Sequence, residues 1–282
     1  MAQKKDPLYL TWMGTAGVLI EDDHDGILID PYISRPGLLS VVLGLSLKPD
    51  RDAIEKWLTR PGTKNIRAVL VSHSHFDHCL DAPFFALKTN ALFIGSKSAL
   101  NAARGVPLDE SGLKEADIGR DIKIGAFTLR FIESAHGPAF LGRVPYPGTI
   151  DRPLTGRHSA RDYKLGQTYS ILITHASGTI LHHGSAGFRS GMYDGIVSDI
   201  VLLGIGGRGH TQTYLENVPL KLNAKIVIPI HFDNFFVSLD RKMKNLPGVN
   251  FQEFLTTAGK YGNRFQLKIL SVGEKSACHS WL

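Results

Sequence analysis

The sequence predicts an α+β fold in which two β-sheets pack face to face and helices cover their outer sides. Apolar runs of strand length recur in both halves of the chain, with helical patterns between them, and 29 of the 282 residues are glycine, which favours a turn-rich chain. Two sheets covered by helices form one of the few layer arrangements that bury such faces. Since no clear linker interrupts the pattern, we expect one domain over residues 1–282.

The first half of the chain is predicted to begin with three short strands separated by glycine turns. A helix with one apolar side follows, then a continuous apolar run typical of a buried strand, and then a short helix. In order, these elements span residues 8–13, 18–21, 27–30, 50–59, 68–71 and 81–88.

The rest of the chain is predicted to be rich in strands as well, so the two halves are broadly similar. A long connection rich in proline, glycine and arginine spans residues 137–166, and a hairpin turns at Ser177-Gly178. The predicted strands span residues 91–94, 122–124, 127–132, 168–174, 179–183, 200–203, 225–230 and 265–271, with a helix over 213–222.

Composition limits the class of protein. With 43% hydrophobic and 21% charged residues, the chain is typical of a globular protein and excludes a disordered one. The net charge of +6 favours anionic partners, although a basic surface without a specific partner stays open because lysine and arginine are spread along the chain.

Signals for location are weak. Cys79 and Cys278 have no metal-finger spacing, so a reducing compartment is the simpler interpretation, with one disulfide as the alternative. Residues 1–10 lack the apolar stretch of a signal peptide, and the longest apolar run, residues 38–47, is too short to span a membrane. We expect a cytoplasmic protein, or a periplasmic or membrane-associated one if an export signal has been removed.

The run His73-Ser74-His75-Phe76-Asp77-His78 carries the strongest functional signal. Imidazole nitrogens and carboxylate oxygens are the ligands that zinc and similar ions prefer. The run directly follows a predicted buried strand, at the end where open sheets place their ligands. A single histidine here would be an ordinary loop residue, but four potential ligands within this run predict a metal site.

This run resembles the HxHxDH signature of the metallo-β-lactamase superfamily, and the similarity extends from about Leu10 to His231. The resemblance implies an αββα sandwich with the metals at one edge, between the two sheets. Asp30 stands where the family has a carboxylate that orients the metal loop, with a simple turn aspartate as the alternative. His136 and His231 stand at the family's next two histidine positions.

The resemblance also implies two sets of ligands and their chemistry. His73, His75 and His136 would bind a first metal, and Asp77, His78 and His231 a second one. Zinc is implied, as one or two ions, with Mn²⁺ or Fe²⁺ as alternatives. The ion would activate water as a nucleophile, and Asp77 would act as the catalytic residue that orients this water or receives its proton.

The sequence departs from the family at Ser185, where an aspartate usually bridges the two metals. The same departure occurs in a subgroup of true β-lactamases that still hold two zinc ions. A histidine of the preceding strand would compensate, and by strand alternation only one of His182 and His183 faces inward. The sequence favours His183, with an ordinary strand residue as the alternative.

The substrate is less defined. The loop after His136 is rich in arginine, including Arg143, which favours contact with phosphate or carboxylate. The apolar segment 38–47 would admit acyl chains, touch a membrane peripherally or pack on the core, and Tyr32 would line the groove. With His231 followed by Phe232-Asp233, the chain is most similar to the lactonase and phospholipase-D-like branch. We therefore expect hydrolysis of an ester, lactone or phosphodiester bond in an anionic, lipid-like small molecule.

Other functions remain open at this stage. Ser185 favours a β-lactam hydrolase, and a scaffold that binds metal or nucleic acid is the non-enzymatic alternative. The complete ligand set speaks against such a scaffold and against nucleic acid as a partner. A redox enzyme would need a further domain and more carboxylate ligands. The oligomeric state is left open.

Overall fold

A computed structural model of the chain describes residues 6–60, 62–139 and 141–282. The first five residues, part of the segment considered above as an export signal, lie outside the described residues. The strands are β1 (Tyr9–Gly14), β2 (Gly17–Glu21), β3 (Gly26–Ile29), β4 (Ile66–Leu70), β5 (Leu92–Gly95), β6 (Leu113–Glu115), β7 (Asp121–Ile124), β8 (Phe127–Glu133), β9 (Ala135–His136), β10 (Tyr169–His175), β11 (Gly178–His183), β12 (Ala186–Gly187), β13 (Ile200–Gly204), β14 (Ile226–Ile230), β15 (Gln266–Leu267) and β16 (Lys275–Ala277). The helices are α1 (Leu38–Val42), α2 (Arg51–Leu58), α3 (Phe76–Cys79), α4 (Ala82–Thr89), α5 (Lys97–Ala103), α6 (Thr211–Asn217) and α7 (Phe251–Gly259).

Two seven-stranded sheets form the centre of the described chain. The first has the order β16-β1-β2-β3-β4-β5-β6, and the second has the order β15-β14-β13-β11-β10-β8-β7. Strands β3, β4 and β5 run parallel in the first sheet, as do β11, β13 and β14 in the second. Because parallel strands end at the same edge of a sheet, residues that follow β3 and β4, or β11 and β14, come close together.

The side chains of each strand alternate between the inner and the outer face of its sheet, and this alternation produces the layers of the fold. Ile29 belongs to the inner core that also holds Phe131 of the second sheet, whereas its neighbour Leu28 belongs to an outer core with Trp57 of α2 and Phe85 of α4. Successive side chains of a strand point to opposite faces, so one face of each sheet joins the inner core and the other is covered by helices. The expected sandwich of two sheets between helices is confirmed.

Capping residues set the ends of the helices that cover the first sheet. Asp50 accepts a hydrogen bond from Ala53 N at 3.0 Å and so begins α2 within one residue of the predicted start. Ser96 caps α5 in the same way, accepting from Ala99 N at 3.2 Å. The left-handed conformation of Asn90 (φ 54°) ends α4.

The structure corrects several predicted bounds. The helix expected over 213–222 ends at Asn217, because Pro219 follows and has no backbone N–H to continue it. The strand expected over 265–271 forms only at Gln266–Leu267. The segment 38–47, for which packing on the core was one alternative, begins with helix α1, but Val41 is the one buried residue of this helix. No helix is predicted from the sequence at α3, α5 or α7. The strand at the free side of β1 is β16, whose short sequence Lys-Ser-Ala has no strand pattern.

Two further observations concern cysteines and membranes. Cys79 and Cys278 are both free and buried, so the alternative of a disulfide between them is wrong. Over the described ranges, no helix is long and apolar enough to cross a membrane.

Candidate metal centre

The predicted metal-binding run leaves the carboxyl end of β4. Ser72, two residues after the strand, donates from its backbone N and its hydroxyl to Asp30, at 2.7 and 2.5 Å. His73 follows in a bend, His75 has an extended backbone, and α3 then begins at Phe76. This short helix turns Asp77 and His78 back towards the strand end, and all four potential ligands are buried.

Three histidines form a first triad. The ring centres of His73 and His75 lie 4.8 Å apart, and each lies 4.9 Å from the ring centre of His136. His136 comes from β9, directly after the second sheet's β8, so the triad joins the two sheets. Its nitrogens converge, with His73 Nε2 only 3.1 Å from His75 Nδ1.

Hydrogen bonds on the far side of each ring identify the free nitrogens of this triad. His75 Nε2 lies 2.9 Å from the carbonyl of Pro145, and His136 Nδ1 lies 2.7 Å from the carbonyl of Gly137. A carbonyl can only accept, so these two nitrogens carry the protons. His75 Nδ1 and His136 Nε2 therefore keep lone pairs for a cation. Such a partner behind each ring is typical of histidines that bind metals.

A second triad adjoins the first. His231 Nε2 lies 3.2 Å and His78 Nε2 lies 3.7 Å from Asp77 Oδ2. The ring centres of His78 and His231 are 5.2 Å apart. The two triads meet where the rings of His73 and His78 approach to 3.8 Å. In each triad, one potential ligand atom per residue lies within 4.8 Å of the others, so both sets fit a metal ion.

Asp30 lies behind the second triad. Its Oδ2 is 2.8 Å from His78 Nδ1, which leaves His78 Nε2 to face Asp77. The carboxylate is fully buried, and its backbone adopts a left-handed conformation with φ 47°. The structure thus places Asp30 where a carboxylate would orient both His78 and the loop at Ser72.

His231 follows β14 in a constrained turn. Its φ is 57°, and its backbone N donates to Thr15 O at 2.7 Å. Thr15 N in turn donates to Asp233 Oδ1 at 2.8 Å. The turn between β1 and β2 therefore positions a ligand that is contributed by the opposite sheet.

Burial and neighbouring charges fix the protonation states of the first triad. Burial lowers the pKa of His75 to about 3 and the pKa of His136 to about 4. For His73, burial and the adjacent His78 hold the pKa well below its usual value. These rings are neutral near pH 7, which is the form that binds a metal.

The second triad is charged differently. Burial alone would raise the pKa of Asp77, but the nearby His78 and His231 hold it well below its usual range. Burial alone would lower the pKa of His78, but Asp30 and Asp77 raise it. Asp77 is therefore ionised near pH 7, and His78 keeps its proton to a higher pH than an ordinary histidine does.

His182 and His183 of β11 have the opposite orientations to those expected. His182 faces the centre, donating from Nε2 to Ala16 O at 2.8 Å and lying 4.0 Å from Asp30 Oδ2. His183 points to the other face of the sheet, where its Nδ1 lies 2.8 Å from Ser170 Oγ and 2.7 Å from Tyr193 Oη. The structure does not bring His183 to the triads, because alternation turns it towards α6.

The remaining predicted residues lie at different distances from the centre. Ser185 is buried beside the first triad, donating to Ala135 O at 3.0 Å, and its neighbour Ala186 pairs with His136. Tyr32 is fully buried among aromatic rings instead of lining an open groove. Arg143 is exposed on the loop that follows His136.

A cavity opens next to the first triad. It has a volume of about 340 Å³ and is lined in part by His136, Gln167 and Arg189. Arg189 forms an ion pair with Glu133 at 2.8 Å on the same cavity wall. Gln167 and Arg189 could not be predicted from the sequence, since neither belongs to a motif. They line the same cavity as His136 only because the fold brings these distant positions together.

Comparisons with known proteins agree with this arrangement. A family model described as the beta-lactamase superfamily domain matches residues 9–231. A protein from Methanoregula boonei called UPF0173 metal-dependent hydrolase is 28% identical over 232 residues, covering 81% of this chain and 83% of that protein.

Two solved structures share the fold. Igni18, a metallo hydrolase from Ignicoccus hospitalis, matches with a TM-score of 0.63 at 20% identity, covering 95% of this chain and 97% of that one. An isothiocyanate hydrolase from Delia radicum gut bacteria matches with a TM-score of 0.60 at 16% identity, covering 95% and 98%. At these identities the likeness concerns the fold alone.

Proposed function

Because this chain belongs to the β-lactamase superfamily and is a metal-dependent hydrolase, we propose that it cleaves an ester, lactone or phosphodiester bond in an anionic, partly apolar small molecule. One observation carries the proposal: two adjoining, largely buried triads direct free ligand atoms towards two points, and hydrogen bonds hold the rings of His75, His136 and His78 from behind.

The donor set favours zinc. Five imidazoles and one carboxylate make up the two triads, and imidazole-rich sites suit zinc better than the oxygen-rich sites that manganese prefers. Iron enzymes with open sites also commonly use more carboxylate. A bound zinc ion would supply a coordinated water with a pKa lowered to about 7 and would polarise the substrate oxygen.

Asp77 is proposed both to hold the second ion and to orient the attacking water. Its pKa is held well below the usual range, so it is a poor proton acceptor near pH 7 but a strong hydrogen-bond acceptor. One oxygen, Oδ2, already faces His231 and His78. The other oxygen is left to accept a hydrogen bond from water, which assigns Asp77 an orienting role instead of that of a general base.

Charge around the centre supports an anionic substrate. The loop over residues 137–166 carries Arg143, Arg152, Arg157, Arg161 and Lys164. The same loop reaches the first triad, because Pro145 contacts His75 and the Tyr146 ring lies 6.3 Å from the His75 ring. Arginines on such a loop suit phosphate or carboxylate groups.

A second candidate is the hydrolysis of β-lactams. Ser185 is buried next to the strand pair that holds His136. On the resemblance drawn from the sequence, this serine takes the place of the family's bridging carboxylate, as in a subgroup of true β-lactamases. Zinc-dependent loss of nitrocefin absorbance would support this activity. No turnover of nitrocefin at full metal loading would exclude it.

The test combines metal analysis with a substrate panel. Protein purified without chelator should contain about one to two equivalents of zinc and should hydrolyse at least one of a set of lactones, phosphodiesters and acyl-phospholipids. His75→Ala should lose the activity, whereas His24→Ala, at an exposed histidine, should keep it. Less than about half an equivalent of any transition metal, or full activity of His75→Ala, would contradict the proposal.

A further inference from the structure

The segment over residues 38–45 exposes an unusual amount of apolar surface. Its five large apolar side chains are between 49% and 74% exposed; they are Leu38, Leu39, Val42, Leu43 and Leu45. At 100° per residue, the four in or next to α1 fall within one arc of about 140°, and Val41 on the opposite side is buried. We call these five residues the apolar face.

The apolar face adjoins the metal centre. Val41 packs in one cluster with Phe76 and Phe235. Phe76 directly follows His75, and the Phe235 ring lies 5.3 Å from the ring of His231. The helix therefore stands on the same small core that supports both triads.

Basic side chains surround the apolar face. The guanidinium carbon of Arg161 lies 3.8 Å from the place where a side chain on Gly44 would begin. Leu47, two residues after the segment, donates from its backbone N to His158 O at 2.7 Å, which brings Arg157 near the segment, and Lys48 directly follows Leu47. All three cations are exposed, and the salt bridges across the described part of the chain involve other residues.

We propose that the apolar face inserts into the surface of a bilayer that contains anionic lipids. Exposed apolar patches mark sites of interaction, and amphipathic helices bind membranes by burying apolar side chains in the bilayer surface, together with attraction between cations and acidic headgroups. The unpaired Lys48, Arg157 and Arg161 supply that attraction.

The composition of the apolar face favours lipid over a protein partner. All five side chains are leucine or valine, which are under-represented among the residues that dominate the binding energy of protein interfaces. A second copy of the chain would bring like charges together around the patch.

Binding to the bilayer depends on the apolar face and its cations and does not require the metals. That binding would bring a lipid-like substrate to the metal centre, a consequence that rests on the proposed function. The experiment is co-sedimentation with phosphatidylcholine vesicles, with and without phosphatidylglycerol, using the full chain in metal-free and zinc-loaded forms. We expect binding to the anionic vesicles in both forms, weakened by salt. Loss of hydrolysis with retained vesicle binding would then reflect only on the proposed function.

Matched variants separate the contributions. Leu39→Ser/Leu43→Ser should weaken binding about tenfold or more, while Val197→Ser/Ile269→Ser, at two comparably exposed apolar residues elsewhere, should not. Lys48→Gln/Arg161→Gln should weaken binding to the anionic vesicles only. Zinc stoichiometry and circular dichroism report folding. Absence of wild-type binding, equal loss in both apolar pairs, or a vesicle-independent dimer that Leu39→Ser/Leu43→Ser dissociates would overturn the proposal.

Discussion

Arg35 and Asp233 form a buried ion pair, with Nη2 and Oδ2 2.5 Å apart and side chains only 3% and 0% exposed. The pair joins the segment after β3 to the turn after β14. Asp233 also accepts from Thr15 N, and Thr15 O accepts from His231 N, so the pair stabilises the turn that carries a metal ligand.

Replacing Asp233 by asparagine should destabilise the fold and weaken the binding of the second metal ion. It leaves Arg35 buried without a counter-charge, which typically costs about 3 kcal/mol or more of unfolding free energy. We also expect the affinity of the second zinc to fall about tenfold while the first is retained. Chemical denaturation and zinc titration measure both effects. Asp240→Asn, at a mostly exposed carboxylate, is the control, and an equal loss there would contradict the role of the pair.

Asp30→Asn tests the carboxylate behind His78. The variant keeps the size of the side chain but loses the charge that orients His78 Nδ1–H. Loss of such a partner commonly reduces metal affinity about 10–100-fold, so the second ion should be released first in a chelator competition. Unchanged affinity for both ions would show that Asp30 has only a structural role.

The two triads should respond differently to acid. A histidine with a lowered pKa stays neutral until the pH falls to that value, and the pKa values of His75 and His136 are about 3 and 4. The first ion should therefore bind nearly as well at a pH of about 5.5 as at neutrality. His78, whose pKa is raised, must release a proton before it can bind the second ion, so the affinity for that ion should fall as the pH falls. Calorimetry in buffers of different ionisation enthalpy measures the protons released, and equal release at both sites would contradict this assignment.

Ser185→Asp tests the position of the missing bridge. Ser185 is buried beside His136, and a carboxylate there would add negative charge between two cations. We expect tighter binding of the second zinc, measured by competition with a fluorescent chelator. Ser177→Asp is a control at another buried serine, distant in the hairpin turn. No difference between the two variants would mean that Ser185 is remote from the ions.

Much of the centre was visible in the sequence because its ligands follow strands. The four ligands from His73 to His78 lie in one short run after β4, and His231 directly follows the apolar run of β14. The order of motifs supplied His136 and Asp30. The fold itself could be predicted because apolar runs of strand length mark both sheets.

Residues that depend on contacts distant in sequence could not be predicted. Alternation shows that only one of His182 and His183 faces inward, but the choice depends on how β11 lies against the opposite sheet, where Ala16 accepts the bond from His182. Arg35 and Asp233 are 198 positions apart, and neither belongs to a motif. Strand β16 exists because β1 offers it an unpaired edge, not because of its own three residues.

The division of ligands between the sheets has a consequence for assembly of the protein. Four ligands come from the run after β4 of the first sheet, but each triad takes its last member, His136 or His231, from a segment that follows a strand of the second sheet. A fragment with only the first sheet would hold most of the ligands and neither complete site. The free energy of metal binding therefore stabilises the packing of the two sheets against each other, because the complete sites form only when both sheets are docked. Removal of the metal by a chelator should weaken the contact between the sheets before either sheet unfolds.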